Sequence, residues 1–153
     1  MPAEIRLAVS DADWAHVQAI RRRVFVLEQD VPDADEWDGW DAPALRGDAV
    51  HHLLATLEGE PVGVARWRAV VLEDETWAKL ERFAVVPEGR GAGIGRALVG
   101  RALGDARAAG RSRFVLHAQT YVAGLYRAFG FQAEGDVFLE DGLEHVKMTL
   151  VDA

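Results

Sequence analysis

Four glycines, at 89, 91, 93 and 95, stand between an apolar run and a helical pattern in VVPEGRGAGIGRALVG, residues 85–100. Residues without a Cβ let successive backbone N–H groups converge on an anion, and a following helix adds the positive end of its dipole. The chemistry this spacing suits is the binding of a phosphate-bearing ligand. A dinucleotide fingerprint G-x-G-x-x-G begun at Gly89 or Gly91 would need glycine where Ile94 or Arg96 stands. A nucleotide P-loop would need Lys-Ser or Lys-Thr after the glycines, and neither follows. What fits is Arg90-Gly91-Ala92-Gly93-Ile94-Gly95, an R/Q-x-x-G-x-G/A pattern opening a helix; the alternative is a glycine-rich turn that holds nothing.

These residues need elements to position them. Ser10 with Asp13 resembles a capping box, and Trp14, Val17, Ile20 and Val24 recur at helical spacing, predicting an amphipathic helix of about four turns. Residues 51–58 and 61–72 read as strands joined by a hairpin at Glu58-Gly59-Glu60-Pro61, and 76–87 as a third strand leading into the glycine loop. After the loop, Ile94, Leu98, Ala102 and Ala106 share a helix face that closes near Gly110. RFVLHAQ (113–119) reads as a buried strand and GLYRAFGF (124–131) as a short helix ending at Gly130. A hairpin turns about Asp141-Gly142. Only 28–49 lacks periodicity. The order implies one mixed α/β sheet of six to seven strands with helices on both faces.

Composition narrows the function classes. A chain of 153 residues, 50% hydrophobic, suits a single domain over 1–153. With 17 Lys and Arg against 25 Asp and Glu, a net charge of -8, it has no basic excess for nucleic acid or an anionic membrane. The absence of cysteine excludes disulfides, thiolate metal sites and a cysteine nucleophile. His51 and His52 are adjacent on a strand and point to opposite faces, so no metal is expected. The N-terminal residues lack a basic region followed by an apolar core, and no apolar stretch approaches the roughly 18 residues of a membrane span, so a cytoplasmic location is expected.

The glycine motif, followed in order by Gln119 and by Leu125-Tyr126-Arg127-Ala128-Phe129-Gly130-Phe131, resembles the GNAT family of N-acetyltransferases. The segments VFVLEQDVP, ERFAVVPEGRGAGIG, LHAQ and EDGLEHVKM together resemble its ElaA-like branch, touching residues from about 21 to 148. The resemblance implies a GNAT-like α/β (α+β) fold with a mostly antiparallel sheet. It also implies acetyl-CoA as cosubstrate and direct transfer of the acetyl group to a primary amine of a small molecule or peptide. Loop amides would hold the pyrophosphate, and backbone around Phe83, Ala84 and Val85 would face the pantetheine and thioester. The implied cofactor cradle is Phe83, Ala84, Val85, Val86 and Arg90 to Arg96 (Arg90, Gly91, Ala92, Gly93, Ile94, Gly95, Arg96), with Gln119 and Tyr126 beside it. The rival class is a non-catalytic acyl-CoA-binding or regulatory module that keeps the loop without acid or base.

Amine acylation by a thioester needs a neutral amine, a stabilised oxyanion and a proton for the departing thiolate, but no nucleophilic side chain. Tyr126 is the candidate acid. A phenol near pKa ~10 giving a proton to a thiolate near ~8.5 is uphill by about 2 kcal/mol, a deficit a tuned site can remove; the alternative is that Tyr126 only packs. Glu81 is a candidate base, sharing one strand face with Lys79, Phe83 and Val85 by the two-residue period, or else a surface acid. His117 is a second candidate base. Gln119 either orients substrate or bridges splayed strands.

The stretch 28–49 carries Glu28, Asp30, Asp33, Asp35, Glu36, Asp38, Asp41 and Asp48 against the single base Arg46. Placed beside the cleft, it would attract a cationic amine, or else form a solvated acidic loop. Glu28, Glu36, Trp37 and Asp38 are its candidate acceptor-binding residues, and the ElaA-like resemblance adds His52 if the strand is placed to begin generously early. The C-terminal hairpin offers an edge strand for a homodimer.

Overall fold

The structure, a computed structural model, describes residues 3–153. Turn chemistry sets much of the chain's path. Three consecutive hairpin strands, β2 (Val50–Leu57), β3 (Glu60–Leu72) and β4 (Glu75–Val85), turn at Glu58-Gly59 and Glu73-Asp74, all four with positive φ, the backbone of tight turns that follow the twist of the strands. The last hairpin, β6 (Gln132–Glu140) and β7 (Leu143–Val151), turns in the same way at Asp141-Gly142. With β1 (Glu4–Leu7) and β5 (Arg113–Gln119) they form one seven-stranded sheet, β1-β2-β3-β4-β5-β7-β6. Every pairing is antiparallel except β4 with β5. β1, the seventh strand, has no clear signal in its four residues.

Helix α1 (Asp11–Arg21) starts where the Ser10 hydroxyl accepts the Asp13 amide at 3.1 Å. Asp13 does not complete the capping box; its carboxylate takes two hydrogen bonds from Arg6 instead. The helix continues as a π-helical turn, Arg22–Glu28, so the apolar stripe runs on through Val24 and Phe25. The unpatterned stretch holds one turn of helix, α2 (Asp33–Glu36), and two 3₁₀ turns, Gly39–Asp41 and Pro43–Leu45.

Helix α3 (Ile94–Ala108) packs its predicted face, Ile94, Leu98, Ala102 and Ala106, into the core. Gly63 of β3 has no room for a side chain there, because a Cβ would meet Ile94 and Leu98 within 3.1 Å. α1 covers the other face, where Trp14 meets His52 edge-on at 4.9 Å. Helices thus lie on both faces. The short α4 (Ala123–Arg127) is followed by Gly130 at φ 101°. Among the described residues, no helix is long and apolar enough to cross a membrane.

Candidate active site

The parallel pair β4 and β5 is joined at only two positions, Ala78 with Phe114 and Lys79 with Val115. Beyond them the strands part, and a cleft of about 720 Å³ opens between them. Val24, Phe25 and Val31 wall it on one side, Tyr126 and Leu125 on another, and the β6–β7 turn at its rim.

A bulge shapes the β4 wall. Arg66 of β3 faces Glu81 and Val64 faces Ala84, so one residue of β3 opposes both Arg82 and Phe83. Arg82 carries the strain at φ 59°. The bulge corrects the strict two-residue alternation expected of Glu81, Phe83 and Val85. Arg66 and Val64 share a face, so Glu81 shares its face with Ala84, while Phe83 turns toward the Tyr126 ring at 5.7 Å.

The glycine loop adjoins the cleft in a hollow of about 300 Å³, lined by Arg90, Gly91, Gly93, Ile94, Gly95 and Arg96. Gly91 and Gly93 adopt positive φ, and a Cβ on either would meet only open space. The first helical amide bonded back is that of Ala97, to Gly93 at 3.0 Å, and no side chain caps the helix. The amides of Ile94, Gly95 and Arg96 therefore stand as donors at the positive helix end, which fits a pyrophosphate. Two predicted cradle residues do not join. Val86 is buried with its amide given to Val62 at 2.9 Å, and Ala92 lines neither cavity. The Arg90 guanidinium points back, binding both oxygens of Glu28 at 2.8 and 2.7 Å.

Tyr126 is 6% exposed, packed edge-on against Phe83 and Phe131. Burial pushes its phenol up, with Tyr121 adding to the shift. It stays protonated, and in the free protein it is a weaker acid than an ordinary phenol.

Glu81 is almost covered, held by Arg66 and, at 3.2 Å, by Arg68. Burial works against its charge, but Arg66, Arg68 and Lys79 outweigh it and keep the carboxyl below its usual range. Glu36, 4% exposed, is the opposite case. Burial raises it although Arg21 lies at 2.8 Å and Arg82 at 3.1 Å. Asp38 accepts both terminal nitrogens of Arg66, at 2.8 and 2.9 Å; burial opposes the shift, yet Arg66 holds its carboxyl down at about 2. Asp41 pairs with both Arg21 and Arg66.

His117 lines the cleft, its Nδ1 3.1 Å from Glu140. Gln119 does not bridge β4 and β5. Its amide pairs reciprocally with Gln29, at 3.0 and 3.4 Å, tying the end of the π-helical turn to β5.

Two predicted acceptor residues stand elsewhere. Trp37 gives its indole N–H to Asp33 and stacks under Arg21 at 4.8 Å, outside the cleft. His52, 1% exposed, is a core residue; burial first, then Arg21, lowers it to about 4, so it is neutral. Glu28, Glu36 and Asp38 do line the cleft, each engaged by arginine. Sequence reasoning missed Arg66, Gln29, Glu140 and His145. Arg66, with Arg68, interrupts a mostly apolar strand, which was the available signal; Glu140 and His145 lay in the EDGLEHVKM segment, unassigned.

The architecture has known counterparts. The family described as "Acetyltransferase (GNAT) domain" matches residues 41–151. Two Bacillus subtilis relatives are each 36% identical. "Uncharacterized protein YyaT" aligns over 145 residues, 95% of this chain and 93% of that one, and "Uncharacterized N-acetyltransferase YjcF" over 132 residues, 84% and 86%. Escherichia coli ElaA superposes with a TM-score of 0.81 at 28% identity, over 97% of this chain and 99% of that one. An acyl-CoA N-acyltransferase from Pseudomonas aeruginosa does so with a TM-score of 0.81 at 29% identity, over 98% and 99%. By sequence match, fold and the splayed strands beside a glycine-capped helix, the chain belongs to the GNAT acetyltransferase family.

Proposed function

We propose that this protein transfers the acetyl group of acetyl-CoA to a primary amine of a small molecule or peptide, by direct attack within a ternary complex. The observation that carries the reading is a cleft between the parted strands β4 and β5, walled by Tyr126, whose adjoining hollow presents the open amides at the start of α3. The pyrophosphate would lie on the amides of residues 94–96 and the pantetheine arm between the strands. Bound acetyl-CoA would supply a thioester, so that a C–N bond forms as a C–S bond breaks.

The residues of the chain then have separable tasks. Tyr126 donates its phenolic proton toward the departing sulfur; burial makes it a weaker acid than an ordinary phenol, and the negative charge developing on the sulfur beside it is what draws the proton across. The amine proton goes to His117 or Glu81, directly or through a water. His117 is the better supported, because the arginines around Glu81 favour its charged form and so weaken it as a base. The bulge leaves Arg82 and Phe83 without ladder partners in β3, and beyond Lys79 the edge of β4 that faces β5 is unpaired, so a backbone amide there can receive a carbonyl oxygen.

The test is thiol release from acetyl-CoA in the presence of n-butylamine, spermidine or lysine methyl ester; the chain has no cysteine to add background. Release that depends on the amine and falls in Tyr126→Phe supports transfer. Binding of acetyl-CoA with no release for any amine would favour the non-catalytic acyl-CoA-binding module.

A further inference from the structure

Following each carboxylate of the cleft to its partner leaves two without a permanent cation. Glu28 is held by Arg90, Glu36 by Arg21 and Arg82, Asp38 by Arg66, and Glu81 by Arg66 and Arg68. Guanidinium groups do not deprotonate, so these four acids offer an incoming cation little net charge. Glu140 and Asp141, at the β6–β7 turn, line the same cleft and have no arginine or lysine within ion-pair distance among the described residues; Lys79, also in the lining, acts on Glu140 only from farther off.

Glu140 lies between two imidazoles. His117 Nδ1 is 3.1 Å from Oε1, and His145 Nε2 is 3.6 Å from Oε2. His145 opposes Gln119 in the β5–β7 ladder, and Gln119 shares a face with His117, so the two rings reach the cleft from adjacent strands. The Phe138 ring backs both, at 5.1 and 6.0 Å. His145 is only 7% exposed, and its Nδ1 lies 2.8 Å from the Leu143 carbonyl oxygen. A carbonyl only accepts, so Nδ1 carries the proton, and in the neutral ring Nε2 is an acceptor. With the ring in its neutral form two acceptors, Nε2 and Oε2, face one another at 3.6 Å, an arrangement completed by a donor with positive charge.

We propose that Glu140 and His145, with Asp141 beside them, form the subsite that receives the ammonium group of a small cationic acceptor, in place of the acidic 28–41 wall. The proposal rests on the reading of the protein as an amine acetyltransferase. His117 keeps Glu140 in place from the opposite side, and Glu140 in turn fixes which nitrogen of His117 carries a proton, a positioning contact for a base beside the amine.

The test follows the imidazole signals of isotope-labelled protein by NMR while n-butylammonium chloride or n-butanol is added. The ammonium should shift the His117 and His145 signals saturably, and the alcohol should not. Glu140→Gln should weaken the ammonium response about tenfold, as loss of a charge-assisted contact does. His145→Gln should remove the preference for ammonium over alcohol, and Glu134→Gln, on the same hairpin outside the cleft, should change nothing. Equal binding by wild type and Glu140→Gln, equal response to the alcohol, or no saturable response overturns the subsite. The thermal shift with acetyl-CoA, measured on the same proteins, separates the two readings. A protein that binds butylammonium but never acetyl-CoA would refute acetyl transfer while leaving the subsite standing.

Discussion

Arg66 and Glu81 stand opposite one another in the β3–β4 ladder, and the same guanidinium reaches Asp38 and Asp41 in the loop across that face. Arg66 is 1% exposed, so its charge is balanced by protein carboxylates in place of water. The loop 33–41 is thereby tied to the β4 wall of the cleft, and Glu36, Asp38 and Asp41 balance interior arginines before they serve any substrate.

Replacing Arg66 with Met should therefore destabilise the protein by about 3 to 5 kcal/mol, because three carboxylates lose a common partner in a region of low dielectric. Urea unfolding followed by tryptophan fluorescence measures it. A loss below about 1 kcal/mol would show that the network is solvated.

The same contacts set an acid limb of stability. Asp38 sits at about 2 in the fold against an ordinary 3.8, since Arg66 overcomes the opposing effect of burial. A carboxyl lowered by folding adds stability that is present above pH 3.8 and is lost as pH falls toward 2. Urea midpoints from pH 6 to pH 2.5 should fall more steeply for wild type than for Asp38→Asn. Parallel curves would contradict the assignment.

Two glycines of one helix should respond oppositely to alanine. Gly93, at φ 77°, caps α3 facing open space, so Gly93→Ala strains the backbone by about 1 kcal/mol and puts a methyl where a pyrophosphate would approach. The melting temperature should fall by about 2 to 4 °C and acetyl-CoA affinity about tenfold. Gly104 is exposed mid-helix with nothing nearby, and Gly104→Ala should stabilise by about 1 kcal/mol with affinity unchanged.

Tyr126→Phe keeps the ring packed on Phe83 and Phe131 and removes only the hydroxyl. Stability should change by less than about 1 kcal/mol and acetyl-CoA affinity should hold, while the transfer rate falls by about 10²-fold, as when a general acid is lost. A rate that survives would reduce Tyr126 to packing.

Glycine spacing, the helix stripes of α1 and α3, and the Glu58-Gly59 and Asp141-Gly142 turns were legible in the sequence, because each is encoded by residues near one another in the chain. The sheet and the glycine-loop side of the cleft follow from them. The opposite wall did not follow. The Arg82 bulge shifts the facing of β4 by one residue, and a bulge at a non-glycine residue leaves no mark in the alternation. Asp38 finds Arg66 from 28 residues away and Glu28 finds Arg90 from 62, so acids of the 28–49 stretch that looked unpartnered locally are paired by the tertiary fold. His145 was unremarkable in the sequence; only the β5–β7 register brings it to the face of His117.

The most direct test of the central claim is the melting temperature of the protein with saturating acetyl-CoA, compared with ATP and NAD at equal concentration. A ligand at a hundred times its dissociation constant stabilises the fold by about 2.7 kcal/mol, which for a chain of this size raises the melting temperature by about 5 to 10 °C. The account predicts that rise for acetyl-CoA, a smaller one in Gly93→Ala, and little for the other two. No shift with acetyl-CoA, or a larger one with ATP or NAD, would contradict it.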